Sequence, residues 1–289
     1  MVRYPTISFL SDFGLTDEFV GVVHSVIRSI APDVAVVDIT HGIPPHDVRA
    51  GALALARSAQ YLCPGVVLGV VDPGVGTDRK AVAIEVGQGA SVLVGPDNGL
   101  LASAVAMVGG ADRAVELANA ELQLPRMGST FDGRDIFGPA AAHLANGVDL
   151  AEFGDPVDPA ALMPGLLPIL GVEGDALVVE ALWIDQFGNV QLNIGPDDLA
   201  NWGDPITLIV GEHRETIWRR RAYREIGTGE VGVVIDSSGL VSLAVNGASA
   251  AAQLGITSGQ EIRIERADAP PGTTTSVSIG RSQEPGELS

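Results

Sequence analysis

The residues best suited to chemistry in this sequence are carboxylates held in glycine-containing turns. VDPGVGTDR at 71–79 places Asp72 and Arg79 at the two ends of a turn built on Pro73, Gly74 and Gly76. Proline stiffens such a turn, and glycine admits unusual dihedrals or a close backbone approach. An arginine beside an aspartate keeps the carboxylate ionised and fixes its geometry, so the pair is suited to orienting a water; it could equally close the turn as a structural salt bridge. SDFGLTD at 11–17 offers Asp12 to a sugar diol, or as a turn-stabilising carboxylate. STFDGRDIFGP at 129–139 offers Asp132 as a second carboxylate facing the same crevice, with Arg134 and Asp135 as fold-holding partners.

The second half carries two further polar units. WIDQFGN at 183–189 joins Asp185, Phe187 and Asn189 around Gly188, a set that can hold a charged amino-acid tail and stack on a base or ribose, or form a capped β-turn. IDSSGLVSLAVNGASA at 235–250 adds Ser237, Ser238 and Asn246 as polar contacts. Neither a dinucleotide fingerprint nor a P-loop is present, since both GxGxxG and GK[ST] are missing. His41, His46, Asp47 and Asp72 do not follow a recognised metal-ligand spacing, and His24 reads as a packed or surface residue of a helix, so no metal and no cofactor is expected.

These residues need a scaffold, and the chain of 289 residues, 46% apolar and 18% charged, supplies a substantial core. Its formal charge of -19 opposes a broad phosphate-backbone contact, so nucleic acid is excluded as a partner. Cys63 is the sole cysteine, which removes intrachain disulfides and thiol redox pairs. The N-terminal apolar stretch reaches Asp12 too soon for a signal peptide and no apolar run is long enough to span a bilayer, so no membrane association and a cytoplasmic location are expected.

Strand-like ISFLSD (7–12), VAVVDIT (34–40) and VVLGVVD (66–72) alternate with helix-like segments at 19–30 and 48–59, and AVAIEV (81–86) with SVLVGP (91–96) reads as a hairpin. This predicts an α/β N-terminal domain over 1–155 with a mostly parallel or mixed central sheet. Turn-prone GDPVDPA and MPGLLP mark a linker at 156–168, followed by a smaller all-β, barrel-like domain at 169–275 and a flexible tail at 276–289.

Taken together and in order, SDFGLTD, VDPGVGTDR, VGPDNG, TFDGRDIFGPAAAHL, IDQFGN and SSGLVSLAVNG resemble the S-adenosylmethionine hydroxide adenosyltransferase and halogenase family. The resemblance implies an N-terminal α/β domain, a C-terminal β-barrel, and a homotrimer binding its small-molecule substrate between one subunit's N-terminal domain and a neighbour's C-terminal domain. It implies substitution at the 5′ carbon of S-adenosylmethionine with methionine leaving, water giving adenosine and halide a halogenated nucleoside. Asp72 with Arg79 matches the water-using branch, where fluoride-using members have tyrosine at the position of Asp72. By the same resemblance Asp72, Arg79 and Asp132 are catalytic. Asp12 binds the ribose; Phe131, Asp185, Phe187, Asn189, Ser237 and Asn246 complete the substrate contacts. One position departs from the pattern: TFDGRD has Asp132 where the water-using branch has histidine.

Overall fold

The computed structural model describes residues 3–165 and 168–267 and forms two compact units that divide between Leu167 and Pro168. The expected tail at 276–289 lies outside the described residues.

The first unit begins with β1 (Thr6–Ser11), α1 (Phe19–Ile30), β2 (Ala35–Thr40), α2 (Val48–Ala59) and β3 (Val66–Val70). It continues through β4 (Ala81–Val86), β5 (Ser91–Pro96), α3 (Ala102–Met107), β6 (Ala111–Glu116), α4 (Gly138–Ala145) and β7 (Pro156–Val157). The strands form one sheet in the order β2-β1-β3-β5-β4-β6-β7. Its first four strands are parallel, and β4, β6 and β7 add antiparallel. The mixed sheet follows from chain length between strands: the turn at 87–90 permits only a hairpin, whereas helix-length connections permit parallel crossovers.

Alternation decides what each face covers. Ile7, Phe9, Val66, Leu68, Val70, Val92 and Val94 pack under α1 and α4, where Val20, Val23 and Ile27 supply the helical stripe. The opposite face takes α2 and α3: Gly69 lies within van der Waals reach of Leu55, Leu100 and Leu101, and a Cβ there would crowd all three. Both faces are therefore covered, which is why β3 reads as a continuous apolar run. Residues 156–157, expected in the linker, instead pair as β7 with β6.

The second unit contains β8 (Gly171–Glu173), β9 (Ala176–Ile184), β10 (Val190–Leu192), β11 (Ile206–Val210) and β12 (His213–Arg219). It ends with β13 (Val231–Ile235), β14 (Val241–Val245), α5 (Ala250–Leu254) and β15 (Glu261–Arg266). The order β10-β14-β13-β12-β11-β15-β9, with β9 pairing back onto β10, closes a seven-stranded barrel, and β8 adds outside the ring on β9. Closure removes the sheet edges that an open sheet of this size would expose. Inward residues such as Val179, Leu208, Ile217, Val233, Leu243 and Ile264 fill it. No helix among the described residues is long and apolar enough to cross a membrane.

Candidate active site

In the first unit the loops after β1, β2 and β3 all leave the carboxyl ends of adjacent parallel strands, the position at which open α/β sheets bind ligands. The loop after β3 folds on itself: Val75 N–H donates to the Asp72 carbonyl (3.2 Å), Thr77 N–H to the Gly74 carbonyl (3.1 Å), and the Thr77 hydroxyl also to Gly74. Gly76 has φ +78° and lies so close to the Ser129 carbonyl that a Cβ would fall 2.7 Å from it. Bare backbone at Gly76 thus lets the 72–79 loop abut the 129–132 segment.

That approach brings Asp72, Arg79 and Asp132 together. Arg79 Nε donates to both carboxylate oxygens of Asp72 at 3.0 Å, while Arg79 Nη2 donates to Asp72 Oδ2 and to Asp132 Oδ2. The three side chains are only 12%, 6% and 6% exposed for Arg79, Asp72 and Asp132. Burial opposes the guanidinium charge, but hydrogen bonds and attraction from Asp72 and then Asp132 outweigh it and raise the Arg79 pKa above the ordinary arginine value. The Arg79 guanidinium also sits 5.2 Å from the centre of the Phe137 ring.

Asp132 Oδ1 is buried without a hydrogen-bond partner among the described residues, and the nearest cation beyond Arg79 is Arg126, whose Nη2 lies 3.8 Å away. A carboxylate oxygen in that situation is a ready acceptor for a water proton. Arg126 escaped sequence reading because it stands in a loop with no periodicity or motif around it.

The 129–139 segment is built to hold Asp132 still. One turn of π-helix, Gly133–Phe137, runs directly into α4, a geometry common at functional sites. Arg134 grips the buried Asp135 through two hydrogen bonds of 2.6 and 3.0 Å, the fold-holding pair expected from sequence. Phe131 stacks edge-on with Phe13 and Phe19 at centroid distances of 5.6 and 5.1 Å. A Cβ at Gly133 would lie 2.9 Å from Phe13 Cζ and 3.3 Å from Phe131 Cε2. We expect Gly133→Ala to displace this aromatic trio and to cost about 1–3 kcal/mol, read as a lowered Tm; an unchanged Tm would show that the rings yield freely. Asp12 follows β1, and its Oδ2 accepts the His46 N–H at 2.8 Å.

In the second unit a cavity of about 700 Å³ is lined by Asp185, Phe187, Asn189, Tyr223 and Ser237, with Val245 and residues 247–249 as its remaining wall. Asp185 organises one side: Oδ1 accepts the backbone N–H groups of Phe187 and Asn189, both at 2.9 Å, and Oδ2 accepts Asn189 Nδ2 at 2.7 Å. The capped turn expected as the structural alternative is therefore present, and it also leaves the Phe187 ring 69% exposed. Asp236, unnoticed in the sequence, organises the other side by accepting from Ser238 N–H, Leu240 N–H, Gln191 Nε2 and the Ser242 hydroxyl. Burial, followed by the charges of Asp185 and Asp236, raises the Tyr223 pKa, so its phenol stays protonated and able to donate. Asn246 does not line the cavity; its amide donates to the Ile226 carbonyl at 3.4 Å.

The α/β unit and closed barrel, each carrying a polar site, define a two-domain family. Residues 7–154 match the model of the SAM hydroxide adenosyltransferase N-terminal domain and residues 179–263 that of the C-terminal domain. The chain belongs to the SAM hydroxide adenosyltransferase family. It is 44% identical over 264 residues to an (R)-S-adenosyl-L-methionine hydrolase of Salinispora tropica, covering 91% of this chain and 99% of the relative. It is 39% identical over 267 residues to the protein of that name from Thermus thermophilus, covering 89% and 98%. The crystal structure of an uncharacterized conserved protein from Thermotoga maritima superposes with a TM-score of 0.83 at 36% identity, covering 90% of this chain and all of that one.

Proposed function

We propose that the protein hydrolyses S-adenosyl-L-methionine to adenosine and L-methionine. The observation that carries this reading is the buried Asp72–Arg79–Asp132 cluster with Asp132 Oδ1 free to accept. Water held there attacks the ribose 5′ carbon: the new C–O bond forms as the C–S bond breaks, and its electron pair returns to sulfur, converting the sulfonium into the neutral thioether of methionine. The proton released from water passes to a carboxylate of the cluster and then to solvent. Asp132 takes the acceptor position, and Arg79 holds both acids in fixed geometry.

Charge explains why a second arginine matters. The substrate's positive charge fades as sulfur leaves, so an uncompensated anion beside it would favour the bound substrate over the transition state. Two aspartates with Arg79 and Arg126 form a set with balanced formal charge, which removes much of that penalty.

We assign Asp12 to the ribose hydroxyls, with Phe131 beside it. Phe187, Asp185, Asn189, Tyr223 and Ser237 hold the rest of the substrate; Asn246 acts through the Ile226 carbonyl instead of by direct contact. As the family resemblance implies, we further propose a homotrimer in which each substrate meets the first unit of one copy and the second unit of another, in the cytoplasm.

The test is product analysis in H₂¹⁸O with and without chloride. We expect unlabelled methionine and adenosine carrying one heavy oxygen, with no change on adding chloride. A chlorinated nucleoside would replace the water reading with halide transfer, and tight binding without turnover would make the protein a sensor. Mixing inactive Asp72→Asn and Phe187→Ala chains after dissociation and reassembly tests the assembly. Recovered activity is expected; none would place each complete site within one chain.

A further inference from the structure

A second cluster, separate from the hydrolytic residues, joins His24 of α1, Asp38 of β2 and His41 just beyond it. His24 Nε2 lies 2.8 Å and His41 Nε2 3.1 Å from the same oxygen, Asp38 Oδ1, and the three potential ligand atoms all lie within 4.8 Å of one another. The His41 side chain is 3% exposed. Despite its distance from Asp38, His41 Nε2 is not aligned for a hydrogen bond and has no other partner among the described residues. Its other ring nitrogen, Nδ1, is 2.7 Å from the Ser11 hydroxyl oxygen, and the Phe9 ring packs against both imidazoles at centroid distances of 6.0 and 4.6 Å for His24 and His41.

Two imidazole nitrogens and one carboxylate oxygen are the donors of an open three-residue site for a borderline divalent cation. Contact between Nδ1 and Ser11 supplies the outer-shell support that fixes a ligating histidine's tautomer, leaving the Nε2 lone pair directed at the ion. Half-exposed His24 and exposed Asp38 leave access for water as a fourth ligand.

We propose that His24, Asp38 and His41 bind Zn²⁺ or a chemically similar divalent cation, clipping α1 to the end of β2. The site is a brace and not a catalytic centre. It would restrain the segment that begins at His41 and continues to His46, whose backbone N–H holds Asp12. A pairwise spacing search overlooks it because the ligands come from a helix, a strand and a loop, and the earlier grouping of His41 with His46, Asp47 and Asp72 dissolves: Asp47 caps α2 and Asp72 is held by Arg79.

Untagged, chelator-stripped full-length protein titrated with Co²⁺ in the absence of substrate tests this independently of hydrolysis. We expect one equivalent to bind with the visible ligand-field bands of a low-coordinate nitrogen and oxygen site, and Zn²⁺ to displace it. His24→Gln and Asp38→Asn should each weaken binding by about tenfold or more, while Cys63→Ser should not change it. Absence of stoichiometric binding would overturn the proposal, leaving only the hydrogen bond between His24 and Asp38. Unchanged affinity in both ligand variants, or loss in Cys63→Ser, would also overturn it.

Discussion

Arg79→Ala is expected to lower kcat by about 10²- to 10³-fold and to destabilise the first unit by about 3–5 kcal/mol. Both effects have one cause. The guanidinium is the shared donor to Asp72 and Asp132, and its removal leaves two buried carboxylates facing each other. Lysine retains the charge but not the fork that serves both acids at once, so Arg79→Lys recovers part of the stability and less of the rate. Arg126→Ala should be milder, because Arg126 is 39% exposed and reaches only Asp132. The neighbours of Arg79 raise its pKa above the ordinary arginine value, so the wild-type cluster keeps its guanidinium charged at neutral pH. Steady-state kinetics with a thermal melt decide the matter: a variant with near-normal kcat would remove Arg79 from the mechanism.

Gly188→Ala should collapse the other half of the site. Gly188 has φ +82°, and an added Cβ would overlap Oγ and Cβ of Ser249. Strain and overlap together amount to about 2–4 kcal/mol, or roughly 10–30 °C in the Tm of a barrel this size. The same residue's carbonyl accepts the Ala251 N–H at 2.9 Å, tying the turn to the start of α5. Displacing it moves Asp185, Phe187 and Asn189, so KM should rise more than kcat falls. Wild-type melting and KM would show that Ser249 can retreat and that the tight turn is not required.

What was legible in the sequence follows physical locality. α2 was readable to its ends because Asp47 accepts the Ala50 N–H and the Ala-rich stripe that follows buries one face. The hairpin of β4 and β5 was readable because the four residues 87–90 cannot span a crossover. β12 gives little strand signal, since HRETIWR carries charged residues on a largely exposed strand and its pairing with β11 and β13 defines it. In the site, Asp72 and Arg79 share one turn, so their contact could be anticipated from spacing alone. Arg126 and Tyr223 carry no such signal, because their neighbours are set by tertiary folding. Asp236 was findable in principle: an aspartate opening DSSGL is the usual anchor of an Asx turn. His24 was discounted because helical spacing says nothing about the neighbouring β2 and the loop after it, which carry Asp38 and His41.

The barrel's closure has a mechanical side. Six of the ring's seven joints are antiparallel; the seventh, between β12 and β13, is parallel and rests on two residue pairs, Trp218 with Gly232 and Arg219 with Val233. The joint between β10 and β14 is equally short, with two pairs, whereas that between β13 and β14 spans five. The barrel therefore has two short catches, β12 against β13 and β10 against β14, and Tyr223 hangs on the connection between β12 and β13. Breathing at the first would loosen the Tyr223 wall of the cavity, and breathing at the second would loosen the strand that follows the Asp185 turn.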